Sequence, residues 1–291
     1  MPGPDRARPV LIVGGTGRVG RMLARYWSAH DLRERFVFQT RQSKDGMLTW
    51  DPGEGSAALV EWVRAVGGCH AMVVLAGATP GSDVPMTKNA EIAQACLSAA
   101  RVARIPRVLY ASSSAVYGMP GAAALRETDP VKPTHLYGQS KLAAERVCEE
   151  ARDAGTEVCV LRIGNVAGAD MLLQNAAHAD MANPILLDQF EDKAGPRRSY
   201  IGICALARVI EQLVDLEQCP DLLNVGAPVP VSMESLLEAS GVPWEFVPAR
   251  VGAMQDFTLD CSRLCNQVRF TARDSDPFAL VAEACKWGVV P

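Results

Sequence analysis

The stretch Gly14-Gly15-Thr16-Gly17-Arg18-Val19-Gly20 lies between two segments with different hydrophobic patterns. The apolar run Val10-Leu11-Ile12-Val13 before it predicts a buried strand, and residues 18–29 repeat apolar side chains at helical spacing. Glycine allows a tight turn and a close approach to phosphate oxygens that a Cβ atom would obstruct. The helix N-terminus adds unpaired N–H groups and a partial positive charge. We therefore expect a dinucleotide to contact Gly14, Thr16, Gly17, Arg18, Val19 and Gly20.

Gly14, Gly17 and Gly20 are spaced one residue wider in the first gap than the glycines of the G-x-G-x-x-G form. Glycine-rich turns are common, so an ordinary strand-to-helix turn is the alternative interpretation. The predicted strand and helix on either side favour dinucleotide binding, because the motif requires both of them.

The second predicted strand bears on the type of dinucleotide. It ends Phe38-Gln39-Thr40-Arg41 and lacks the acid that would accept hydrogen bonds from the ribose 2′-OH of NAD. A guanidinium at Arg41, or at Arg18 in the turn, could instead pair with the 2′-phosphate of NADP. Both arginines could also be solvated surface residues. The charge pattern favours NADP over NAD.

Short apolar runs alternate with longer amphipathic segments along most of the chain, which indicates strand–helix units over a parallel sheet. The pattern predicts further strands near 36–38, 72–75, 108–111, 158–161 and 223–225, and helices over 57–66, 89–103, 136–154 and 206–216. Ser232 is expected to be the N-cap of one more helix, which runs to residue 239. We expect an α/β fold with a doubly wound parallel sheet, the Rossmann arrangement. This domain would span residues 1–165, with a strand and helix near 200–226 returning to it. Residues 166–291 would form mainly a small substrate-binding lobe.

Composition excludes several classes of protein. Of 291 residues, 48% are apolar and 21% charged, which predicts a packed core, and the net charge of -4 argues against nucleic-acid binding. The apolar stretches are far shorter than the roughly 20 residues of a membrane helix. The nine cysteines are scattered, and no metal-ligand spacing surrounds Cys261 and Cys265. We expect a cytoplasmic protein with free thiols, no metal and no membrane partner.

Tyr137-Gly138-Gln139-Ser140-Lys141 lies at the start of the helix predicted over 136–154. Residues four apart share a helix face, so the Tyr137 hydroxyl and the Lys141 ammonium can converge on one site. A nearby cation favours the phenolate and lowers the tyrosine pKa from about 10, as proton exchange with an alcohol or carbonyl demands. Because this spacing also occurs by chance, a core tyrosine and a surface lysine are the alternative.

Two other predicted strands end in small residues. Ser112-Ser113-Ser114 follows one of them, at the sheet edge where ligands bind in open parallel sheets. A hydroxyl there could hold a substrate carbonyl opposite Tyr137, although serines are also ordinary turn residues. Leu75-Ala76-Gly77-Ala78 ends the other strand and leaves room for the cofactor.

These segments together resemble the extended short-chain dehydrogenase/reductases, the NAD(P)-dependent nucleotide-sugar epimerase/dehydratase group. The resemblance covers nearly the whole chain. It is carried by residues 14–20, by Ser112-Ser113-Ser114-Ala115-Val116-Tyr117-Gly118, by residues 137–145, and by Leu161-Arg162-Ile163-Gly164-Asn165-Val166-Ala167-Gly168. It implies a nicotinamide cofactor, a small-molecule substrate such as a nucleotide-linked sugar and, by analogy, a homodimer.

The resemblance also assigns catalytic roles. It implies that Tyr137 is the acid/base, that Lys141 contacts the nicotinamide ribose and tunes Tyr137, and that Ser113 is the catalytic hydroxyl. Substrate contacts are implied for Ser114, for Asn165 and for Arg198, which would meet a nucleotide diphosphate. A surface arginine is an equally good interpretation of Arg198.

The sequence departs from the family pattern at two acidic pairs. Dehydratases of the group carry an Asp-Glu pair where this chain has Ser114 and Ala115, and eliminating water requires such carboxylates. A second acidic pair is replaced by Cys204 and Ala205. A 4,6-dehydratase is therefore not expected, and the short chain suggests a trimmed substrate lobe.

Three functions fit these observations. The first is an epimerase or reductase that moves hydride at a carbon of a nucleotide-linked sugar. The second is an NADPH-dependent reductase of a non-sugar carbonyl compound, which Arg41 favours. The third is a non-catalytic NADP-binding sensor, against which the set of Ser113, Tyr137 and Lys141 argues.

Overall fold

A computed structural model describes residues 8–81, 84–119, 124–154 and 156–288. The chain forms two compact units. The first consists of residues up to Gly118, Val131–Arg162 and Ile210–Leu223, and the second of Met119–Pro130, Ile163–Val209 and the residues from Asn224 onwards. The sequence placed the boundary near 165 and expected the return of the chain near 200–226, but it did not separate the segment Met119–Pro130.

The strands are β1 (Val10–Val13), β2 (Phe36–Thr40), β3 (Leu48–Thr49), β4 (Ala71–Val74), β5 (Arg107–Ser113), β6 (Glu157–Ile163), β7 (Asn165–Val166), β8 (Ile185–Gln189), β9 (Arg197–Arg198), β10 (Tyr200–Ile201), β11 (Leu222–Val225), β12 (Val231–Ser232), β13 (Trp244–Pro248) and β14 (Asp256–Phe257). The α-helices are α1 (Arg18–Ala29), α2 (Ala57–Ala65), α3 (Asn89–Val102), α4 (Leu136–Asp153), α5 (Met171–Ala176), α6 (Ile203–Asp215), α7 (Met233–Ser240), α8 (Ser262–Cys265) and α9 (Pro277–Trp287).

Among the described residues, seven strands form one sheet in the order β11-β6-β5-β4-β1-β2-β3. The pairs that join β1 to β2 and β4, β4 to β5, and β2 to β3 are parallel. From β1 the order runs outwards in both directions, which is the doubly wound arrangement. The predicted fold class is therefore confirmed, and β1 with the turn after it lies at the switch point, where such sheets bind ligands.

The first unit is held together by the burial of its central strands. Every residue of β1 and β4 is fully buried, as a parallel sheet covered by helices requires. One apolar cluster joins Leu11 and Val13 of β1 to side chains of α2, α3 and α4. Trp27 of α1 stacks on Phe36 of β2, with ring centroids 3.9 Å apart. The apolar periodicity seen in the sequence is the signal that places these helices on the sheet.

The second unit contains shorter elements. β7 pairs with β10 and β8 with β13, both in parallel, and β9 lies between β12 and β14. Ser232 caps α7, as its sequence position predicts, because its hydroxyl accepts the N–H of Ser235 at 3.3 Å. Apolar residues of α5, α7 and α9 form the core of this unit. None of the helices in the described ranges is long and apolar enough to cross a membrane.

Candidate active site

The glycine turn packs too tightly for side chains at several positions, and the closest approaches are at Gly14 and Gly20. Gly14 has a φ of +94°, and a Cβ atom there would lie 2.6 Å from the backbone nitrogen of Ala76. A Cβ atom at Gly20 would lie 2.4 Å from the carbonyl oxygen of Gly14. These two glycines are therefore required because the end of β1 meets both the segment after β4 and the first turn of α1.

Gly17 has a different environment. It is exposed, its backbone is extended with a φ of −68°, and a Cβ atom there would meet only the Gly14 oxygen, at 3.3 Å. No side chain caps α1, and its first turn contains no acid. The first-turn N–H groups are therefore suited to an anion. Thr16 and Arg18 are exposed beside Gly17, so these residues fit the phosphates of a dinucleotide.

Gln39 is a buried residue of this site that sequence reasoning missed. Its Oε1 accepts the N–H of Gly14 at 3.0 Å, and its Nε2 donates to the carbonyl of Trp50. The sequence did contain a signal for Gln39, namely a polar residue near the end of an otherwise apolar strand. Arg41, directly beyond this strand, is exposed and has no hydrogen-bond or ion-pair partner within the part of the chain that the structure describes.

Ser113, Tyr137 and Lys141 come together in the first unit. Ser113 is the last residue of β5, and Tyr137 lies in the first turn of α4, where its side chain forms a hydrogen bond with that of Ser113. Lys141 lies one turn further along α4, and its Nζ donates to the carbonyl of Ala111 at 2.8 Å. The end of β5 therefore carries a hydroxyl, a phenol and a buried amine, which is the set that the sequence suggested.

Burial dominates the electrostatics of this site. It raises the pKa of Tyr137 above its ordinary value, and the hydrogen bond with Ser113 opposes that rise. Burial also lowers the pKa of Lys141 to about 8, against the effects of Cys148 and Glu145, which raise it. The sequence suggested that Lys141 lowers the tyrosine pKa directly. In the structure the opposing group is Ser113, since the Lys141 ammonium points to the carbonyl of Ala111.

The segment after β4 lies directly against Lys141. A Cβ atom at Gly77 would be 3.1 Å from Lys141 Nζ and 2.9 Å from Asn89 Oδ1. Leu75 and Ala76, the other residues expected to contact the cofactor, are half-buried before it. A side chain in place of Gly77 would therefore displace the amine or the amide.

Asn89 is a second buried residue that sequence reasoning missed. Its side chain accepts the N–H of Ala78 at 2.7 Å and donates to the Ala78 carbonyl at 3.0 Å and to Ser140 Oγ at 2.9 Å. Ser140 in turn donates to the carbonyl of Tyr137 at 2.8 Å. An asparagine at the start of a helix looks like an ordinary cap, which hides its role in joining α3, α4 and the segment after β4.

The residues with an expected substrate role are divided between the units. Ser114 begins a short 3₁₀ helix, Ser114–Tyr117, in the first unit. Asn165 lies in the second unit, where its side chain bonds to Tyr200.

The guanidinium of Arg198, also in the second unit, already donates hydrogen bonds to backbone carbonyls. The acceptors are the carbonyls of Arg197 at 2.7 Å, Gln255 at 2.8 Å and Met254 at 2.9 Å. These contacts use N–H groups that could otherwise donate to a diphosphate. The role of Arg198 in substrate binding therefore stays a prediction.

Residues 10–224 match the model of the NAD dependent epimerase/dehydratase family. The chain is 30% identical over 171 residues to a UDP-glucose 4-epimerase of Lacticaseibacillus casei, covering 51% of this chain and 52% of that protein. It is 28% identical over 221 residues to a UDP-glucose 4-epimerase of Azospirillum brasilense, covering 66% and 62%. The chain thus matches between about half and two thirds of the length of these relatives.

A solved UDP-glucose 4-epimerase from Brucella ovis, in complex with NAD, has a similar fold. It superposes with a TM-score of 0.81 at 23% identity, over 97% of this chain and 99% of that one. The resemblance expected from the sequence motifs is confirmed by the family match over most of the chain. This protein belongs to the NAD dependent epimerase/dehydratase family.

Proposed function

We propose that this protein is an NAD(P)-dependent oxidoreductase or epimerase that transfers hydride at an alcohol or carbonyl carbon of a nucleotide-linked sugar. The observation that carries the proposal is the meeting of Ser113, Tyr137 and Lys141 at the end of β5. A protein that only binds a dinucleotide has no need of all three groups. The UDP-glucose 4-epimerases among its relatives support the nucleotide-sugar part.

The side chains have distinct roles in such a reaction. Bound nicotinamide would supply the hydride acceptor and donor. The neutral Tyr137 donates its proton to the substrate oxygen during reduction, which leaves a phenolate, and this phenolate takes the proton of the substrate hydroxyl during oxidation. Ser113 holds the substrate oxygen by a hydrogen bond. Lys141, with a pKa of about 8, is mostly protonated at neutral pH and stabilises negative charge nearby.

Dehydration of the sugar is disfavoured within this proposal. Ser114 and Ala115 stand where the dehydratases have their acidic pair, and neither side chain can move protons as a carboxylate does. Epimerisation or simple oxidation and reduction requires only the acid/base already present in Tyr137.

The choice between dinucleotides depends on Arg41. We propose that NADP is preferred to NAD, since Arg41 is exposed, unpaired within the described ranges and next to the strand end where a ribose would bind. The buried amide of Gln39, two positions before Arg41, offers no carboxylate to the ribose hydroxyls.

We predict that Arg41→Ala weakens NADPH binding by about 10- to 100-fold, the value of one charge-assisted hydrogen bond or two. NADH binding should change by less than about 3-fold, because NADH lacks the 2′-phosphate that the guanidinium would contact. Isothermal titration calorimetry of both cofactors measures the two affinities. Arg64→Ala, at the exposed end of α2, is the matched control for loss of one surface charge. Equal losses for NADPH and NADH would refute the 2′-phosphate assignment.

The second candidate function is an NADPH-consuming reductase of a non-sugar carbonyl compound, and Arg41 favours it because NADPH generally serves reduction. Native mass spectrometry of the purified protein separates the two. A retained dinucleotide supports an epimerase, which regenerates its cofactor in each cycle, and an empty protein supports a reductase that exchanges it. A homodimer and a cytoplasmic location are likewise proposals.

A further inference from the structure

One face of α4 contacts the end of β5. Side chains four residues apart on a helix lie above one another, and here three of them meet three consecutive residues of the strand. The contacts are Tyr137 with Ser113, Lys141 Nζ with the Ala111 carbonyl at 2.8 Å, and Glu145 Oε1 with Ser112 Oγ at 2.5 Å. The third contact is made by the Ser112 side chain, between Ala111 and Ser113, and it lies outside the proposed chemistry.

Glu145 is held by a buried arginine. Arg162 Nη2 donates to Glu145 Oε2 at 2.8 Å, and Arg162 Nε lies 3.1 and 3.2 Å from the two carboxylate oxygens. The residues are 3% and 6% exposed. The guanidinium also lies over the ring of Tyr117, at 4.8 Å. A buried ion pair adds little net stability compared with apolar side chains, so stability alone does not account for it.

Glu145, four residues beyond Lys141 on α4, is also the carboxylate that raises the pKa of Lys141, and its partner Arg162 on β6 carries the opposite charge. Of the other titratable groups around the amine, Cys148 on α4 has a pKa raised to about 12 by burial, and burial raises the pKa of Tyr110 on β5 well above its usual value. Both are therefore neutral at physiological pH, as is Tyr137 with its raised pKa, and α3 contributes the uncharged Asn89. The carboxylate of Glu145 is left to favour the protonated form of Lys141.

We propose that Glu145, clamped by Arg162, is a positioning residue that holds Ser112, and with it the end of β5, against α4 beside Lys141, Tyr137 and Ser113. The inference rests on the proposed function for its consequence in turnover. Glu145 also favours the protonated form of Lys141 in the protein without cofactor or substrate, so this effect does not depend on the proposed function.

A second arginine–glutamate pair provides the matched control. Arg107 and Glu157 join the other ends of β5 and β6 through two hydrogen bonds of 2.9 Å each. Glu157→Gln removes a carboxylate from an arginine on the same strand pair, but far along the strands from Lys141. It should lower stability without changing the ionisation of the lysine.

The test is the pH titration of Lys141 by NMR in the full chain labelled with ¹³C-lysine. Lys141→Met identifies the resonance. We expect a midpoint near pH 8 in the wild type, a midpoint about one pH unit lower in Glu145→Gln because an opposing charge is lost, and no change in Glu157→Gln. The alkaline limb of the kcat profile should move with the midpoint. An unchanged midpoint in Glu145→Gln, or an equal shift in Glu157→Gln, would overturn the proposal.

If Glu145→Gln does not fold, Ser112→Ala tests the positioning role by removing one hydroxyl and leaving the ion pair intact. We expect kcat about 3- to 10-fold lower at unchanged KM, as for loss of one hydrogen bond of about 1 kcal/mol. An unchanged kcat would count against Glu145. Because the NMR midpoint needs no turnover, an inactive protein with the expected midpoints would refute the proposed function and leave this inference standing.

Discussion

Tyr137→Phe is expected to reduce turnover by about 10²- to 10⁴-fold, the range for loss of a general acid/base. The phenylalanine ring fills the same space, and the change removes only the hydroxyl that bonds to Ser113. Dinucleotide affinity should stay within about 3-fold, because the turn after β1 is unaltered. Steady-state rates and calorimetric titration of the dinucleotide measure the two effects separately.

Tyr26→Phe is the control for this variant, because it removes a phenolic hydroxyl from α1 and leaves the end of β5 untouched. Its turnover should equal that of the wild type. Retained activity in Tyr137→Phe would show that another group moves the proton, and the catalytic assignment would be wrong.

Gly17→Asp is expected to abolish dinucleotide binding, with affinity falling by about 100-fold or more, while the protein stays folded. Gly17 has extended backbone and is exposed, and a Cβ atom there needs only a small shift of the Gly14 oxygen, 3.3 Å away. Aspartate is a good N-cap residue and should hold or raise the melting temperature. Its charge, however, competes with a phosphate for the same N–H groups, and like charges about 4 Å apart cost about 4 kcal/mol near a protein surface.

Gly17→Ser separates charge from size at this position. Serine also caps the helix but stays neutral, so we expect a much smaller loss of affinity, below about 10-fold. Calorimetry gives the affinity and thermal unfolding gives the stability of each variant. Unaltered binding in Gly17→Asp would mean that the phosphates do not lie at this helix end.

The sequence predicted the first unit well because its elements are long and periodic. β1 and α1 have the expected bounds, and β5 and β6 differ only in extending further at both ends. Such elements can be recognised in the sequence because burial against the sheet requires apolar residues at regular spacing. The second unit was harder, since two-residue strands such as β9 and β10 carry no period at all.

The polar contacts that support the site were not predictable from local pattern. Glu145 meets Ser112 and Arg162 across 33 and 17 residues of chain, and Asn89 meets Ser140 across 51. Pairing at that distance depends on the sheet order, which places β5, β6 and α4 side by side. The sequence therefore identified the candidate catalytic groups, whereas the groups that hold them required the fold.

Hydride transfer from a nucleotide sugar is tested most directly by the absorbance of reduced nicotinamide. The wild-type protein, loaded with oxidised NADP or NAD, is mixed with a panel of UDP- and dTDP-linked sugars. We expect that at least one sugar produces reduced cofactor, transiently for an epimerase, and that Tyr137→Phe abolishes this signal. Failure of every nucleotide sugar with the loaded protein, or an equal signal in Tyr137→Phe, would contradict this expectation.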